Sequence, residues 1–310
     1  MLIREPTSIS ICPYVPHENE AEVYALWTNV FTHTWPLSAT QFHHITTDLP
    51  EKITPYYFVA RKYNRIVGFI GILIEETAEV LCVFISPREQ RKGIGSELLG
   101  VAISAVKKRG IKKICLGSGT RSYLWPGIPT NLPNAIQFFQ RHSFHCNALS
   151  TDMMLDLHEF KPQKITLQQA DGILLSNPKP QEIWKVLDFE RKNFPQWSNY
   201  YQSAFQENRQ NDILVAKAAD DTVVGAVLVE KKPFVWKNLL KGETGSLGAL
   251  GVVKKMRGEG IGSALAVRGT QLLKERGIRT AYLGWTDIPD WYRRLGYRVW
   301  REYKMGSRDL

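Results

Sequence analysis

The sequence predicts an α/β protein built as two similar domains in tandem, and three observations carry that reading. A glycine-rich stretch occurs twice, as Gln90-Arg91-Lys92-Gly93-Ile94-Gly95-Ser96 and as Arg257-Gly258-Glu259-Gly260-Ile261-Gly262-Ser263. Each copy follows an apolar, strand-like run (80–85; 247–253) and opens a helix-like run (97–108; 264–275). The length of 310 residues and a hydrophobic content of 44% suffice for two domains with separate cores.

A strand that feeds a glycine-rich turn into a helix start gathers backbone N–H groups around one point, at the positive end of the helix dipole. Such a point holds a phosphate or pyrophosphate. The repeat extends upstream: Phe58-Val59-Ala60 and Ile66-Val67-Gly68-Phe69 recur as Leu214-Val215-Ala216 and Val223-Val224-Gly225-Ala226. The offset is 167 at the loops (Gly262 minus Gly95) but 157 upstream (Gly225 minus Gly68), so the second copy carries about ten extra residues, within 231–245.

The motif Q/R-x-x-G-x-G after a strand resembles the acyl-CoA signature of the GNAT (GCN5-related) N-acetyltransferases. The resemblance covers nearly the whole chain as two GNAT domains, drawn as 1–160 and 165–310 around a linker at 158–164. It implies, for each, a mixed, mostly antiparallel twisted sheet flanked by helices. It also implies acetyl-CoA as the acyl donor at both loops, with backbone contacts from Val83 and Ile85 in the first domain and Leu250 and Val252 in the second.

In order, the first domain reads as a strand at 8–13, helices at 20–32 and 39–49, and a hairpin (58–61, 65–75) around Tyr63-Asn64. The motif strand, loop and helix follow, then a strand at 113–116, a long aromatic loop at 117–133, a short helix at 135–141 and a closing strand at 153–157. The second domain reads as a strand near 172–175, a helix at 181–192, the shared core, a strand at 280–284, a helix at 290–295 and a strand at 297–305.

Acetyl transfer to an amine requires deprotonating the amine, polarising the thioester carbonyl and protonating the departing thiolate. The resemblance implies that a backbone N–H of the motif strand polarises the carbonyl and that a tyrosine of a Y-x-x-x-G-F/Y segment protonates the sulfur. The second domain has Tyr292-Arg293-Arg294-Leu295-Gly296-Tyr297, which makes Tyr292 the candidate acid. The first has Phe139-Gln140-Arg141-His142-Ser143-Phe144, and a phenyl ring has no proton to give. Chemistry is therefore expected in the second domain. The alternatives are catalysis in the first domain and a non-catalytic acyl-CoA-binding module. Candidate bases are Glu243 and Asp287, with Glu230 behind them. The family's acceptor loops correspond to stretches holding Trp197 and Trp285, with Phe194 and Tyr200, in the second domain, and Trp35, Tyr123 and Trp125 in the first. Residues 231–245 are a candidate flap over the acceptor.

The net charge of +10 admits nucleic acid as a partner, but Lys and Arg are dispersed and not interleaved with aromatics. Phosphates of CoA account for part of the excess, and the expected partner is a small primary amine, an amino sugar among the possibilities. The four cysteines have unrelated spacings and no H-x-x-x-H pair occurs, so neither disulfides nor a metal is expected. No run approaches the roughly 20 apolar residues of a membrane span, and the expected compartment is the cytoplasm. The oligomeric state is open at this level.

Overall fold

The computed structural model describes residues 9–31, 33–49, 52–117, 124–161, 172–231 and 235–310. Two compact units emerge: Met1–Ser150 with Arg301–Leu310, and Thr151–Trp300. The linear division at 160/165 differs from this, and strand pairing explains why. The final strand turns back to pair with a strand of the first unit, whereas residues 151–156 pair within the second. The linker expected at 158–164 lies partly outside the described residues.

The sheet of the first unit runs β1 (Ser10–Pro13), β2 (Thr54–Lys62), β3 (Arg65–Ile74), β4 (Ala78–Ile85), β5 (Lys113–Leu116) and then the 301–309 part of β13 (Arg298–Asp309). Neighbours are antiparallel except β4 and β5. Tyr63 and Asn64 both take positive φ, 47° and 62°, which closes the β2–β3 hairpin tightly. Helix α1 (Pro16–Phe31) buries Val23, Leu26, Trp27 and Phe31, one stripe at helical spacing. Helix α2 (Ala39–Thr47) starts in a capping box in which the Ser38 and Gln41 side chains each accept the other's backbone N–H. Helix α3 (Ile94–Lys108) packs Leu98, Leu99, Ala102 and Val106 into the core below the sheet. After β5 come the two-residue β6 (Ile128–Pro129) and α4 (Pro133–Arg141).

The second unit repeats this order. Its sheet runs β7 (His145–Asp156), β12 (Thr280–Thr286), β11 (Thr244–Val252), β10 (Val223–Glu230), β9 (Ile213–Lys217) and β8 (Leu174–Ser176); of β7, residues 151–156 belong to this unit. The only parallel pair among these strands is β11 with β12. Its helices are α5 (Ile183–Asn193), α6 (Ser198–Gln206), α7 (Ile261–Glu275) and the short α8 (Pro289–Arg293). Among the described residues no helix is long and apolar enough to cross a membrane, no His/Cys/Asp/Glu group is arranged to hold a metal, and all four cysteines are free.

Candidate active site

Both glycine loops have the geometry an anion needs. Gly93 (φ 88°) and Gly260 (φ 82°) are the N-caps of α3 and α7, and neither helix start is capped by a side chain. The first N–H groups of each helix are thus left for a ligand. Gly95 and Gly262 lie in the first helical turn, where glycine costs about 1 kcal/mol relative to alanine. Packing does not demand it there: an added Cβ would meet Phe138 at 3.4 Å or Trp291 at 3.6 Å, ordinary contacts. What remains is close approach by a ligand. Gln90 and Arg257, expected to bind cofactor, also brace the turn. Each donates to the carbonyl oxygen of the strand's last motif residue, Ile85 and Val252 respectively, both at 3.0 Å. Ser96 Oγ lies 3.0 Å from His142 Nε2.

The parallel strands beside each loop then diverge. In the second unit, pairing of β11 with β12 ends at Ser246↔Tyr282, and a wedge opens from Leu247 and Leu283 onward. Each wall of the wedge carries a bulge. On β11, Ala249 and Leu250 stand opposite the single residue Val227 of β10, with Ala249 at φ 48°. On β12, Gly284 and Trp285 stand opposite Asp152 of β7, with Trp285 at φ 60°. The Trp285 N–H donates to the buried Asp152 carboxylate at 3.0 Å. Left-handed backbone at a non-glycine residue is uncommon and costs about 1–2 kcal/mol, and it concentrates at functional sites.

Beside Trp285, three further expected residues lie on elements that flank this wedge. Tyr292 in α8 is 8% exposed and packs against Trp291 and Tyr297. Burial, with the charge of Asp287 second, pushes its hydroxyl up to about 12, so it carries its proton throughout the neutral range. Asp287 is exposed just beyond β12. Trp197 stacks on Phe194, centroids 5.0 Å apart. Phe194 in turn packs against Gly251, where a Cβ would come within 2.3 Å of the ring. The aromatic pair therefore covers β11 between its bulge and its loop.

Other expected residues are elsewhere. Glu243 is exposed at the head of β11, 3.5 Å from Lys231 Nζ. It stands six positions before the bulge, about 20 Å along a strand, so the fold does not bring it to the reacting atoms. The insertion 231–245 joins β10 to β11 at that same far end, which removes the basis for a flap over the wedge; residues 232–234 lie outside the described ones. Glu230, at the end of β10, accepts from Arg209 at 2.8 Å. Trp35 belongs to the core, whereas Trp125 forms part of the wall of a small pocket between the parallel strands of the first unit, with Val80, Val83, Leu116 and Phe139. Trp35 is fully buried, and Trp125, 5% exposed, stacks on Trp27 at 5.5 Å and meets Trp35 edge-on at 5.3 Å. Tyr123 lies outside the described residues.

Two features escaped the sequence. Glu190 and Tyr201, both fully buried, sit behind the β11 bulge. A glutamate on the same helical stripe as Val186 and Phe189 was an available signal. Asp152 gave none, because nothing local marks a strand residue that will sit beneath a bulge.

The chain belongs to the Acetyltransferase (GNAT) family, whose model matches residues 21–124 and 181–297. It is a tandem member: a tandem GNAT protein from the clavulanic acid biosynthesis pathway superposes with a TM-score of 0.67 at 16% identity, covering 97% of this chain and 98% of that one. A GCN5-related N-acetyltransferase from Sphaerobacter thermophilus gives 0.74 at 17% identity, covering 97% and 95%. A GCN5-related glucosamine N-acetyltransferase region of a fungal multi-domain GH3 β-N-acetylglucosaminidase gives 0.88 at 26% identity over 98% of this chain. The present chain spans 38% of that fungal protein's length. No curated protein matches in sequence.

Proposed function

We propose that the protein is an acetyl-CoA-dependent N-acetyltransferase acting on a primary amine of a small molecule, with the chemistry in the second unit. The observation that carries this is the bulged wedge beside the second loop, with Tyr292 protonated at its side. The donor site fits: uncapped helix N-termini and glycines required by no packing suit the phosphates of CoA. Acetyl-CoA supplies a thioester whose acetyl group passes directly to the amine nitrogen as the C–S bond breaks.

In this reading the Leu250 N–H, freed from the ladder by the bulge, polarises the thioester carbonyl. Tyr292 gives its proton to the departing sulfur and is reprotonated at the expense of the amine, whose proton leaves through Asp287 or solvent. Trp197, half-buried and backed by the buried Phe194, offers a flat apolar face of the kind that suits a sugar ring. An amino sugar is the favoured acceptor, supported by the likeness to the fungal glucosamine N-acetyltransferase region.

The test is release of free CoA thiol from acetyl-CoA with a panel of amines that includes glucosamine. Amine-dependent release that collapses in Tyr292→Phe is expected. No release with any amine, alongside tight CoA binding, would favour a binding module.

A further inference from the structure

The second unit buries a carboxyl that the reaction as described does not use. Glu190 of α5 is fully buried, and neither carboxyl oxygen has a hydrogen-bond partner among the described residues. A buried acid in that state is costly and calls for a reason. It interacts with the Tyr201 hydroxyl, also fully buried, but that hydroxyl gives its proton to the carbonyl oxygen of Ala249 at 2.8 Å. Ala249 is the left-handed residue of the β11 bulge. One hydroxyl proton therefore faces two acceptors, the Ala249 carbonyl and the Glu190 carboxyl.

The peptide plane turns this into a lever. The Ala249 C=O and the Leu250 N–H belong to one rigid trans unit and point in opposite directions. We infer that Tyr201 and Glu190 are a positioning pair for the acyl site: Tyr201 pins the Ala249 carbonyl and thereby aims the Leu250 N–H away from itself, while the protonation state of Glu190 decides whether that pin holds.

Burial raises the Glu190 carboxyl to about 8, against the opposing pull of the Tyr201 hydroxyl. Below that value the acid is neutral and Tyr201 stays on Ala249. Above it the carboxylate is the stronger acceptor, takes the Tyr201 hydrogen bond, and releases the 249–250 peptide. The other charges facing the pair belong to Glu230 of β10, whose charge pushes the Tyr201 hydroxyl up, and to Arg209, paired with Glu230 at 2.8 Å. Burial first, and the charge of Glu230 with it, disfavour a tyrosinate, so Tyr201 keeps its proton and Glu190 is the group of the pair that titrates.

The functional meaning of the pair rests on the proposed chemistry of the second unit; its geometry does not. The test follows the backbone amides of Ala249 and Leu250 by NMR in the full chain, between about pH 6 and 10. Both should titrate with a midpoint about 8 in the wild type. Glu190→Gln, neutral and of the same shape, should abolish that step. Tyr201→Phe should displace the Leu250 amide at every pH and also remove the step. A step that persists in Glu190→Gln, or no step in the wild type, overturns the inference. With an accepted amine, turnover should fall on the alkaline side in the wild type and not in Glu190→Gln, with the KM for acetyl-CoA unchanged. If no amine is accepted, the proposed function fails, and the amide titration still decides the pair.

Discussion

The two units share one design and differ at the wedge. Their parallel strands pair with the same spacing, Ala78↔Ile114 in the first and Gly245↔Ala281 in the second. The first unit then zips one pair further, to Val80↔Leu116, and adds a Gly117 N–H donated to the Val80 carbonyl at 3.1 Å. Its chain next makes a long excursion before α4. Part of that excursion folds back so closely that a Cβ on Gly117 would sit 2.2 Å from the Pro126 oxygen. Leu124, Trp125 and Ile128 are buried there, and Trp125 and Ile128 narrow the first unit's wedge to a small pocket bounded also by Val80, Val83, Leu116 and Phe139. In the second unit only Asp287 and Ile288 separate β12 from α8, so that connection holds no counterpart segment to narrow the wedge. The motif strands differ too. Val83 pairs in register with Ile70 and the β4 bulge falls at Leu81, whereas the β11 bulge lies nearer the loop, at Ala249 and Leu250. No non-glycine residue of β4 or β5 has positive φ. A glycine loop alone thus offers a cradle for phosphates; in the proposed reading, the strands beside it decide whether an acyl group can be handled.

The largest effect expected is at Tyr292. Tyr292→Phe should lower turnover by about 10²–10⁴, the range for one general acid, with little change in KM. Steady-state thiol release measures it. Phe139→Tyr should not create activity in the first unit, because the hydroxyl would enter a pocket already narrowed by Trp125 and Ile128. A gain of activity there would break the distinction between the units.

Next is the narrowing itself. Trp125→Ala removes a ring packed among Trp27, Phe31 and Trp35, and should cost about 3–5 kcal/mol. Thermal or denaturant unfolding of the first unit reads this loss. A loss under about 1 kcal/mol would mean that Trp125 is a lid and not core. The donor loops come third. Gly262→Val should weaken acetyl-CoA binding by about tenfold or more, roughly 1.4 kcal/mol, as seen by calorimetry. Gly95→Val should remove only what the first phosphate cradle contributes. Equal losses would place two equivalent donor sites in one chain.

Much of this was legible in sequence because its signals are local. The strand–loop–helix repeat, the Tyr63-Asn64 hairpin and the apolar stripe of α1 each rest on a few neighbouring residues, and each formed as expected. The two long strands β7 and β13 were read short, at 153–157 and 297–305, because their polar stretches lack clean alternation. Which unit β13 joins is decided by distant partners such as Cys115 and Ile114, and no local pattern encodes that. Helix α6 was missed: SNYYQSAFQ places only Tyr201 and Ala204 in the core. At the site, Tyr292 and the loops were readable as motifs. The bulges and the Glu190–Tyr201 pair arise from register and burial, which exist only once the sheet has formed.

The smallest effect tests the loops against each other. Arg91 and Gly258 occupy the same place in the two repeats, and both are left-handed, at φ 62° and 92°. An L-residue in that region is strained by about 1–2 kcal/mol, and glycine is not. Arg91→Gly should therefore raise the stability of the first unit by up to about 1 kcal/mol, the gain net of glycine's greater freedom in the unfolded chain. Gly258→Arg should lower that of the second, since φ 92° lies further from the left-handed well near 57° than Arg91 does. A Cβ at Gly258 meets nothing within 4 Å, so backbone strain and not a clash is what the second variant measures. Denaturant midpoints of the two variants supply the comparison. If both substitutions are neutral, the loops relax freely; if Arg91→Gly destabilises, the arginine side chain contributes more than its backbone costs.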